Sequence, residues 1–402
     1  MTLGGPTPQP LGVLPWPAGL LLFPEGSDET AAEIVSGLIP ELWPDDLRYV
    51  EVALTGDAEA AVELVSGADD VAAYNRAVLV GGEGVWEDLA ERTTGELLAL
   101  VQTARYSIGQ VAEPPSADGL PDEIASLVLS AQASAAMESR DAATTRQRLQ
   151  QAVDAASRAG SPIVAATLRL TLAQFLTDTG DPALASRVAD AALQSLPLTA
   201  DRELRAHLQL TRALARQQLA GEDRGALLAV VSDLNEATKV FREESYPELF
   251  ALCNEQLALA YLVMPMSDQG DRLRLGVAVN ALRAALRVFT QQTHPHQWAM
   301  TQVNLANALQ YLPSVHQQDN LDEAVQLYEE VLQARDPNED PIGYARILSN
   351  QGNALGHLGV FSDARQRLEL ARSMFVQEGD ADAAATVDDI LAGLAEAAGS
   401  AS

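Results

Sequence analysis

Residues 303–309, VNLANAL, return almost unchanged as SNQGNAL at residues 349–355. The two stretches begin 46 residues apart in a chain of 402 residues. Such an echo indicates either a catalytic motif that is used twice or a structural unit that stacks on copies of itself. The residues that follow each stretch decide between these two interpretations.

Each stretch is followed by a second amphipathic segment, LDEAVQLYEEVL at 321–332 and FSDARQRLELA at 361–371. In both segments a small, a large and a small residue recur at offsets of zero, four and seven, which places them on one stripe of a helix. We call these sets the packing triplets: Ala324, Tyr328 and Val331; Ala364, Leu368 and Ala371. The small side chains let a neighbouring helix approach, and the large side chain fills the gap between the helices. The echo therefore predicts a helix pair that stacks on similar pairs.

The same pattern extends towards the N-terminus. EQLALAY at 255–261 is followed by the triplet Ala278, Leu282 and Ala285, and RLTLAQFLTDTGD at 169–181 by Ala185, Ala189 and Ala192. Weaker copies cover about 121–160 and 200–244, and a last helix is expected over about 381–397. Residues 116–402 are therefore predicted to form about six helix pairs and a terminal helix.

These residues resemble the tetratricopeptide repeat. That family has Leu-Gly in the first helix, a glycine at the turn and a small-aromatic-small triplet in the second helix. The matching residues here are Leu305, Ala306, Gly352, Gly359, Ala324, Tyr328, Ala364 and Ala371. The family repeat is about 34 residues long, whereas these repeats run to about 37–48 residues, with extra length in turns such as 311–320. The resemblance covers 246–378 and 161–197, and it implies an α-solenoid that binds proteins through its concave groove.

Residues 1–115 have a different character. GLLLF at 19–23, LRYVEVAL at 47–54 and RAVLV at 76–80 are short apolar runs with helical stretches between and after them. This alternation predicts a small α/β or mixed domain, with an irregular helical cap as the alternative. AEPPSADGLPDE at 112–123 is the clearest linker, because it combines three prolines, a glycine and polar residues.

Composition restricts the partners. The chain has 56 acidic and 26 basic residues and a formal charge of −30. Phosphate backbones need clustered basic side chains, so neither nucleic acid nor an anionic membrane is an expected partner. The expected partner is a protein or peptide that is not strongly acidic. The stretch from residue 1 to 23 has no positive n-region and prolines interrupt it, so a cytoplasmic protein is expected. The richness in arginine and alanine is typical of a bacterium with a GC-rich genome.

Three features could carry chemistry. His294 and His296, with His316, could bind a metal, but no carboxylate lies at a diagnostic spacing. Cys253, the single cysteine, lies in mid-helix and is expected to be a buried structural thiol. VLVGGEGVWEDL at 78–89 could cradle a phosphate, but it lacks the full fingerprint of a nucleotide site. We therefore predict no catalytic residue, no metal and no cofactor.

One polar face of the first helices is a candidate site. We call it the asparagine face and define it by eight residues: Met300, Asn304, Asn307, Tyr311, Arg346, Asn350, Asn353 and His357. Offsets of zero, four, seven and eleven put each set of four on one side of a helix. Two interpretations stay open: the asparagines bind the backbone of a partner peptide in the groove, or they join adjacent helices. Upstream, the equivalent face carries Leu252, Gln256, Leu259 and Val263 and becomes apolar.

The sequence therefore favours a non-enzymatic adaptor that binds a protein partner through a tetratricopeptide-like solenoid. The alternative is an enzyme or a ligand sensor in which residues 1–115 form the active domain and the solenoid regulates it.

Overall fold

The computed structural model describes residues 11–24, 26–82, 84–265, 271–312 and 316–400. Across these residues the regular structure is helical and no strand occurs. The chain divides into two compact units, Met1–Leu219 and Ala220–Ser402.

The first unit begins with short helices. They are α1 (Asp28–Val35), α2 (Arg48–Leu54), α3 (Ala58–Leu64), α4 (Asp70–Val80), α5 (Val85–Arg92) and α6 (Gly95–Ser107), with 3₁₀ turns at Ala18–Leu20 and Asp45–Leu47. Longer helices follow: α7 (Asp122–Glu138), α8 (Ala142–Arg158), α9 (Pro162–Asp178), α10 (Pro182–Ser195) and α11 (Arg202–Ala220).

The second unit continues the series of long helices. They are α12 (Arg224–Ala237), α13 (Pro247–Val263), α14 (Asp271–Ala285), α15 (Pro295–Tyr311), α16 (Gln317–Ala334), α17 (Pro341–His357), α18 (Phe361–Glu378) and α19 (Ala381–Ser400). Neighbours in sequence pack together, as in the pairs α13–α14, α15–α16 and α17–α18. Of the long turn predicted at 311–320, residues 313–315 lie outside the described residues.

The α/β domain predicted for residues 1–115 is wrong, and the described residues match the helical alternative. LRYVEVAL forms the end of a 3₁₀ turn and α2, and RAVLV forms the last turns of α4. Short apolar runs suit a buried helix as well as a strand, and here burial follows a helical spacing at Tyr49, Val50 and Ala53.

The third predicted strand, GLLLF, begins in a 3₁₀ turn and is extended at Leu21, and it pairs with no strand among the described residues. The Leu22 N–H donates to Asn75 Oδ1 at 2.8 Å, and the Leu22 carbonyl accepts from Asn75 Nδ2 at 2.9 Å. The hydroxyl of Tyr49 donates to the same carbonyl at 2.6 Å. Side chains of α2 and α4 therefore satisfy the backbone groups that a neighbouring strand would otherwise bind.

The core of these short helices extends into α7. Ile124 and Val128 of α7 belong to the same buried cluster as residues of α2, α4 and α6, and Leu120 of the predicted linker packs against it. The domain boundary near residue 115 stays a prediction.

The tetratricopeptide-like helix pairs are confirmed. Every residue of the four packing triplets is fully buried, in α10, α14, α16 and α18 alike. At Gly352 of α17, a Cβ atom would lie 2.7 Å from Leu368 Cγ and 3.1 Å from the Ala364 carbonyl oxygen. Small residues therefore set the close approach of α17 and α18, as the spacing in the sequence predicted.

The junctions before α13 and α15 repeat each other. Each helix begins with proline after a residue with φ near −140° and ψ of 62°, Tyr246 in one case and His294 in the other. The ring of each of these residues packs on a buried phenylalanine five positions earlier: Tyr246 on Phe241 at 5.5 Å and His294 on Phe289 at 5.3 Å between centroids. The two junctions therefore share one geometry.

Candidate partner-binding face

The register of α15 and α17 aligns the two halves of the asparagine face. Both helices have 17 residues and begin with proline, after His294 and Asp340 with similar backbone angles. Met300 is the sixth residue of α15, and Arg346 is the sixth residue of α17. The equivalences predicted from the echo therefore match the observed helix starts.

Exposure varies along this face in the same way on both helices. Met300 and Tyr311 on α15, and Arg346 and His357 on α17, are exposed. The four asparagines between them are partly buried. The asparagine face thus has open ends and a half-buried polar centre.

The polar centre joins the two helices. Asn350 Nδ2 donates to Asn307 Oδ1 at 3.0 Å, and Asn353 Nδ2 donates to Gln310 Oε1 at 3.3 Å. Tyr328 of α16 lies between them: its hydroxyl donates to Asn307 Oδ1 at 2.5 Å and accepts from Gln310 Nε2 at 2.6 Å. These five side chains form one chain of hydrogen bonds across α15, α16 and α17.

Tyr328 is the fully buried member of this network. Burial raises the pKa of the Tyr328 hydroxyl, so it stays protonated and can donate to Asn307 while it accepts from Gln310. The repeat pattern predicts only a packing role for Tyr328 and does not single out Gln310. A signal was present, because Gln310 follows Asn307 at a spacing of three residues, which puts both on adjoining turns of one helix side.

Some amide groups of the face remain without a partner in the chain. Across the described residues, Asn304 makes no side-chain hydrogen bond, and neither do Asn307 Nδ2, Asn350 Oδ1 and Asn353 Oδ1. The asparagines thus do two things: Asn307, Asn350 and Asn353 join adjacent helices, and all four also present free hydrogen-bonding groups.

The charge distribution separates this face from the rest of the molecule. Neither α15 nor α17 contains Asp or Glu, although 56 of the 402 residues are acidic. Between them, α16 carries five acidic residues and no basic one. Arg346 makes no ion pair with any residue that the structure describes. The asparagine face is therefore locally neutral to basic in an acidic protein.

Upstream, α13 presents the apolar continuation that the sequence predicted. Leu252, Gln256 and Leu259 are half-buried, and Val263 at the end of the helix is exposed. The interior contact between α13 and α15 is polar, because Thr301 donates to the buried Glu255 carboxylate at 2.7 Å. Burial raises the pKa of Glu255, while Thr301 and the nearby His296 counteract that rise.

The other chemical candidates are located as follows. His294 Nε2 lies 3.2 Å from Glu248 Oε1, and His316 Nδ1 lies 3.4 Å from Asp319 Oδ2. Among the described residues, no three His, Cys, Asp or Glu side chains are grouped so that they could hold a metal. Cys253 is fully buried, and burial raises the pKa of its thiol to about 12.

The glycine turn at 78–89 connects two helices instead of a strand and a helix. Residues 78–80 end α4, and α5 begins at Val85 after Gly84, which has φ of 75°. Glu83 of that turn lies outside the described residues. In the portion of the chain that the structure covers, no helix has the length and apolar character needed to cross a membrane.

Comparison with known proteins gives matches to solved structures only. No family model and no curated protein sequence matches the chain. The matching structures include a Rap protein complexed with Competence and Sporulation Factor, with 12% identity over 88% of this chain and 97% of that chain and a TM-score of 0.43. They also include the TPR domain of P58(IPK), with 14% identity, 89% and 99% coverage and a TM-score of 0.30.

A third match is the TPR2AB domain of yeast Sti1 in a complex with pHSP90, with 14% identity, 67% and 98% coverage and a TM-score of 0.25. All three TM-scores lie below 0.5. The likeness to tetratricopeptide repeats therefore rests on the helix pairs and packing triplets of the chain itself.

Proposed function

We propose that this chain is a non-enzymatic adaptor that binds a polypeptide segment of a partner protein on the asparagine face. The observation that carries this proposal is the set of amide groups on α15 and α17 that have no partner among the described residues. A partly open surface that keeps such groups unpaired is suited to a ligand that is itself rich in donors and acceptors.

An extended polypeptide is such a ligand, because it exposes an N–H and a C=O group at nearly every residue. An asparagine amide offers a donor and an acceptor together, so it can bind either backbone group. Asn304 has its whole amide available, and Asn350 and Asn353 each have a free Oδ1. Their hydrogen bonds to α15 hold two of these side chains in place before a partner arrives.

The exposed ends of the face add contacts of a different kind. Met300 and Tyr311 supply apolar surface on α15, and Arg346 and His357 supply polar groups on α17. Aromatic residues, Met and Arg are enriched at protein interfaces. A partner segment that lies across both helices would meet all three residue types.

Charge supports a neutral or basic partner over a strongly acidic one. The chain as a whole carries −30, so an acidic protein would be repelled on approach. Because charges more than about 8 Å apart are largely screened at physiological ionic strength, the acid-free helices α15 and α17 leave a bound segment with little repulsion at the face itself. The proposal requires no metal, cofactor or catalytic step.

The test is a triple variant, Met300→Ala, Asn304→Ala and Tyr311→Ala. These side chains make no hydrogen bond or ion pair with any described residue, so the change should leave the fold intact. A matched control is Leu370→Ala with Val376→Ala, which removes exposed apolar surface from α18, outside the asparagine face.

The experiment begins with affinity capture from the native host and identification of retained proteins by mass spectrometry. The affinity of the recovered partner is then measured for the wild type, the triple variant and the control. Losing one backbone contact costs about 0.5–1.5 kcal/mol, so the triple variant should bind at least about tenfold more weakly. Equal affinity of the triple variant and the wild type would refute the proposed face.

A further inference from the structure

Two loops of the unit Met1–Leu219 that are 163 residues apart in the sequence contact each other. The hydroxyl of Thr199 donates to the Ser36 carbonyl at 2.7 Å. A Cβ atom on Gly37 would lie 3.1 Å from the Ala200 nitrogen, which is tighter than ordinary van der Waals contact. Residues 36–44, after α1, and residues 196–201, before α11, therefore form one continuous surface.

The first loop is fixed at both ends. At its start, the Gly37 N–H donates to the Ile34 carbonyl at 2.9 Å and the Leu38 N–H to the Glu33 carbonyl at 3.0 Å, which caps α1. At its end, Trp43 is buried in the core of the short helices. The residues between these two anchors are exposed apart from the half-buried Pro40.

The second loop is a tight turn with its own support. The Ala200 N–H donates to the Pro197 carbonyl at 3.0 Å, which leaves Leu198 and Thr199 at the tip of the turn. Arg205 of α11 donates to the same Pro197 carbonyl at 3.0 Å, and Leu196 and Ala200 are buried beneath the turn. The tip is therefore positioned in advance.

Both loops expose large apolar side chains. Leu42 and Leu198 are 90% and 94% exposed, and Ile39 and Leu38 are 61% and 49% exposed. We call these four residues the loop patch. Isolated exposed leucines are ordinary in proteins, but several of them on two anchored, touching loops mark an interaction surface.

Acidic residues lie beside the loop patch in the sequence of both loops. Glu33, Glu41, Asp45, Asp46 and Asp201 are exposed. Within 33–46 and 196–205 the basic residues are Arg202 and Arg205, and the Arg205 guanidinium donates to the carbonyls of Leu196 and Pro197. Exposed apolar side chains with carboxylates beside them in the same loops are complementary to a segment that has an apolar face between basic side chains.

We propose that the loop patch is a second docking surface, which binds a partner segment with large apolar side chains flanked by Lys or Arg. A second copy of this chain is disfavoured as the occupant, because its loop patch would bring the same carboxylates against these. An anionic lipid surface is disfavoured for the same reason. The anchored loops lower the cost of binding, because they need little ordering when the partner docks.

The test uses a fluorescein-labelled synthetic peptide with leucines on one helical face and lysines on the other, and a matched peptide with glutamate in place of lysine. Anisotropy is measured against the whole chain at physiological ionic strength. The lysine peptide should bind, and the glutamate peptide should not. Leu42→Ser with Leu198→Ser, and separately Glu41→Gln with Asp45→Asn and Asp46→Asn, should each weaken binding by about tenfold or more.

Controls in the other unit separate this surface from general attraction to an acidic protein. Leu273→Ser removes an exposed leucine, and Asp382→Asn with Asp389→Asn and Glu396→Gln removes three exposed carboxylates. Both controls should bind the lysine peptide as the wild type does. Equal losses in controls and loop-patch variants, or tight binding of the glutamate peptide, would overturn the proposal.

Light scattering on the unlabelled chain tests the remaining occupant. The proposal expects the same molar mass for the wild type and for the variant Leu42→Ser with Leu198→Ser. A dimer of the wild type that this variant dissociates would overturn the proposal in favour of self-association.

Discussion

Removing one hydroxyl group tests whether the polar network under the asparagine face holds the helix pairs together. In Tyr328→Phe the ring remains and fills the gap between helices, but its two hydrogen bonds are lost. Among the described residues, Gln310 Nε2 then has no acceptor, and Asn307 Oδ1 keeps only the bond from Asn350. Gln310 is buried, so water cannot replace the missing partner without a rearrangement.

The expected loss of stability follows from the number of hydrogen bonds that the variant loses. A buried donor that loses its partner costs about 1–3 kcal/mol. For a unit the size of Ala220–Ser402, each kcal/mol corresponds to about 2–4 °C in melting temperature, so a decrease of roughly 2–12 °C is expected. Tyr311→Phe is the matched control: its exposed hydroxyl makes no hydrogen bond within the described residues, so a change below about 0.5 kcal/mol is expected.

Urea unfolding of the single variants and of Tyr328→Phe combined with Asn307→Ala completes the test. Because both changes remove the same hydrogen bond, the double variant should lose less stability than the sum, by at least about 0.5 kcal/mol. Hydrogen exchange should show the loss of protection in α15 and α17. Strict additivity, or a Tyr328→Phe protein as stable as the Tyr311→Phe protein, would refute the network as a stabilising element.

Three further predictions concern packing, titration and reactivity. Gly352→Ala should destabilise the protein by about 1–3 kcal/mol, because the new Cβ would meet Leu368 at 2.7 Å. The control Gly393→Ala meets nothing within 4 Å and should stabilise α19 by about 0.4–1 kcal/mol. The reverse order of stabilities in urea unfolding would contradict the close packing. Burial raises the pKa of Glu255, so Glu255→Gln should be more stable than the wild type at pH 7. This gain in stability should shrink as the pH falls towards about 4.3, because the unfolded chain also takes up the proton there. A gain that is independent of pH in urea titrations would contradict this. Because burial raises the pKa of the Cys253 thiol to about 12, iodoacetamide at mildly alkaline pH should label only the unfolded protein, and mass spectrometry that shows rapid labelling of the native chain would contradict it.

The helix pairs could be predicted because their pattern depends on local spacing and small residues. A fully buried Ala364 or Ala371 is a consequence of helices that approach closely, and few other arrangements need a small-large-small triplet at offsets of four and seven. The repetition of the pattern added the register, since equivalent positions could be compared between units.

The short helices before residue 108 could not be predicted in the same way. RAVLV and LRYVEVAL contain β-branched and aromatic residues, which favour strands on propensity alone, but tertiary packing decides their conformation. GLLLF is not the predicted strand either, because it begins in a 3₁₀ turn and is extended at Leu21. Its hydrogen bonds come from Asn75 and Tyr49, which lie 53 and 27 residues beyond Leu22, and no local sequence pattern indicates such distant partners.

For the asparagine face, the sequence predicted positions but not partners. The offsets placed Asn307 and Asn350 on equivalent faces, and the two open interpretations were a peptide groove and an interhelical contact. The observed hydrogen bond between them depends on how α15 is shifted along its axis relative to α17, and this shift cannot be predicted from a single sequence. Asn304 is the residue that distinguishes the two interpretations, because it belongs to the face without joining the network.

The shared geometry of the junctions before α13 and α15 has an evolutionary consequence. From Pro247 to His294, a block of 48 residues begins and ends at equivalent points of the repeat. After duplication or loss of such a block, the helix pairs at that point of the chain would still be joined to one another by junctions in which an aromatic ring packs on a buried phenylalanine. An insertion of one residue within a helix would instead turn everything beyond it by about 100° and bring polar faces into the core. The gene can therefore lengthen or shorten the array by whole units, and selection on the partner can act on each unit separately.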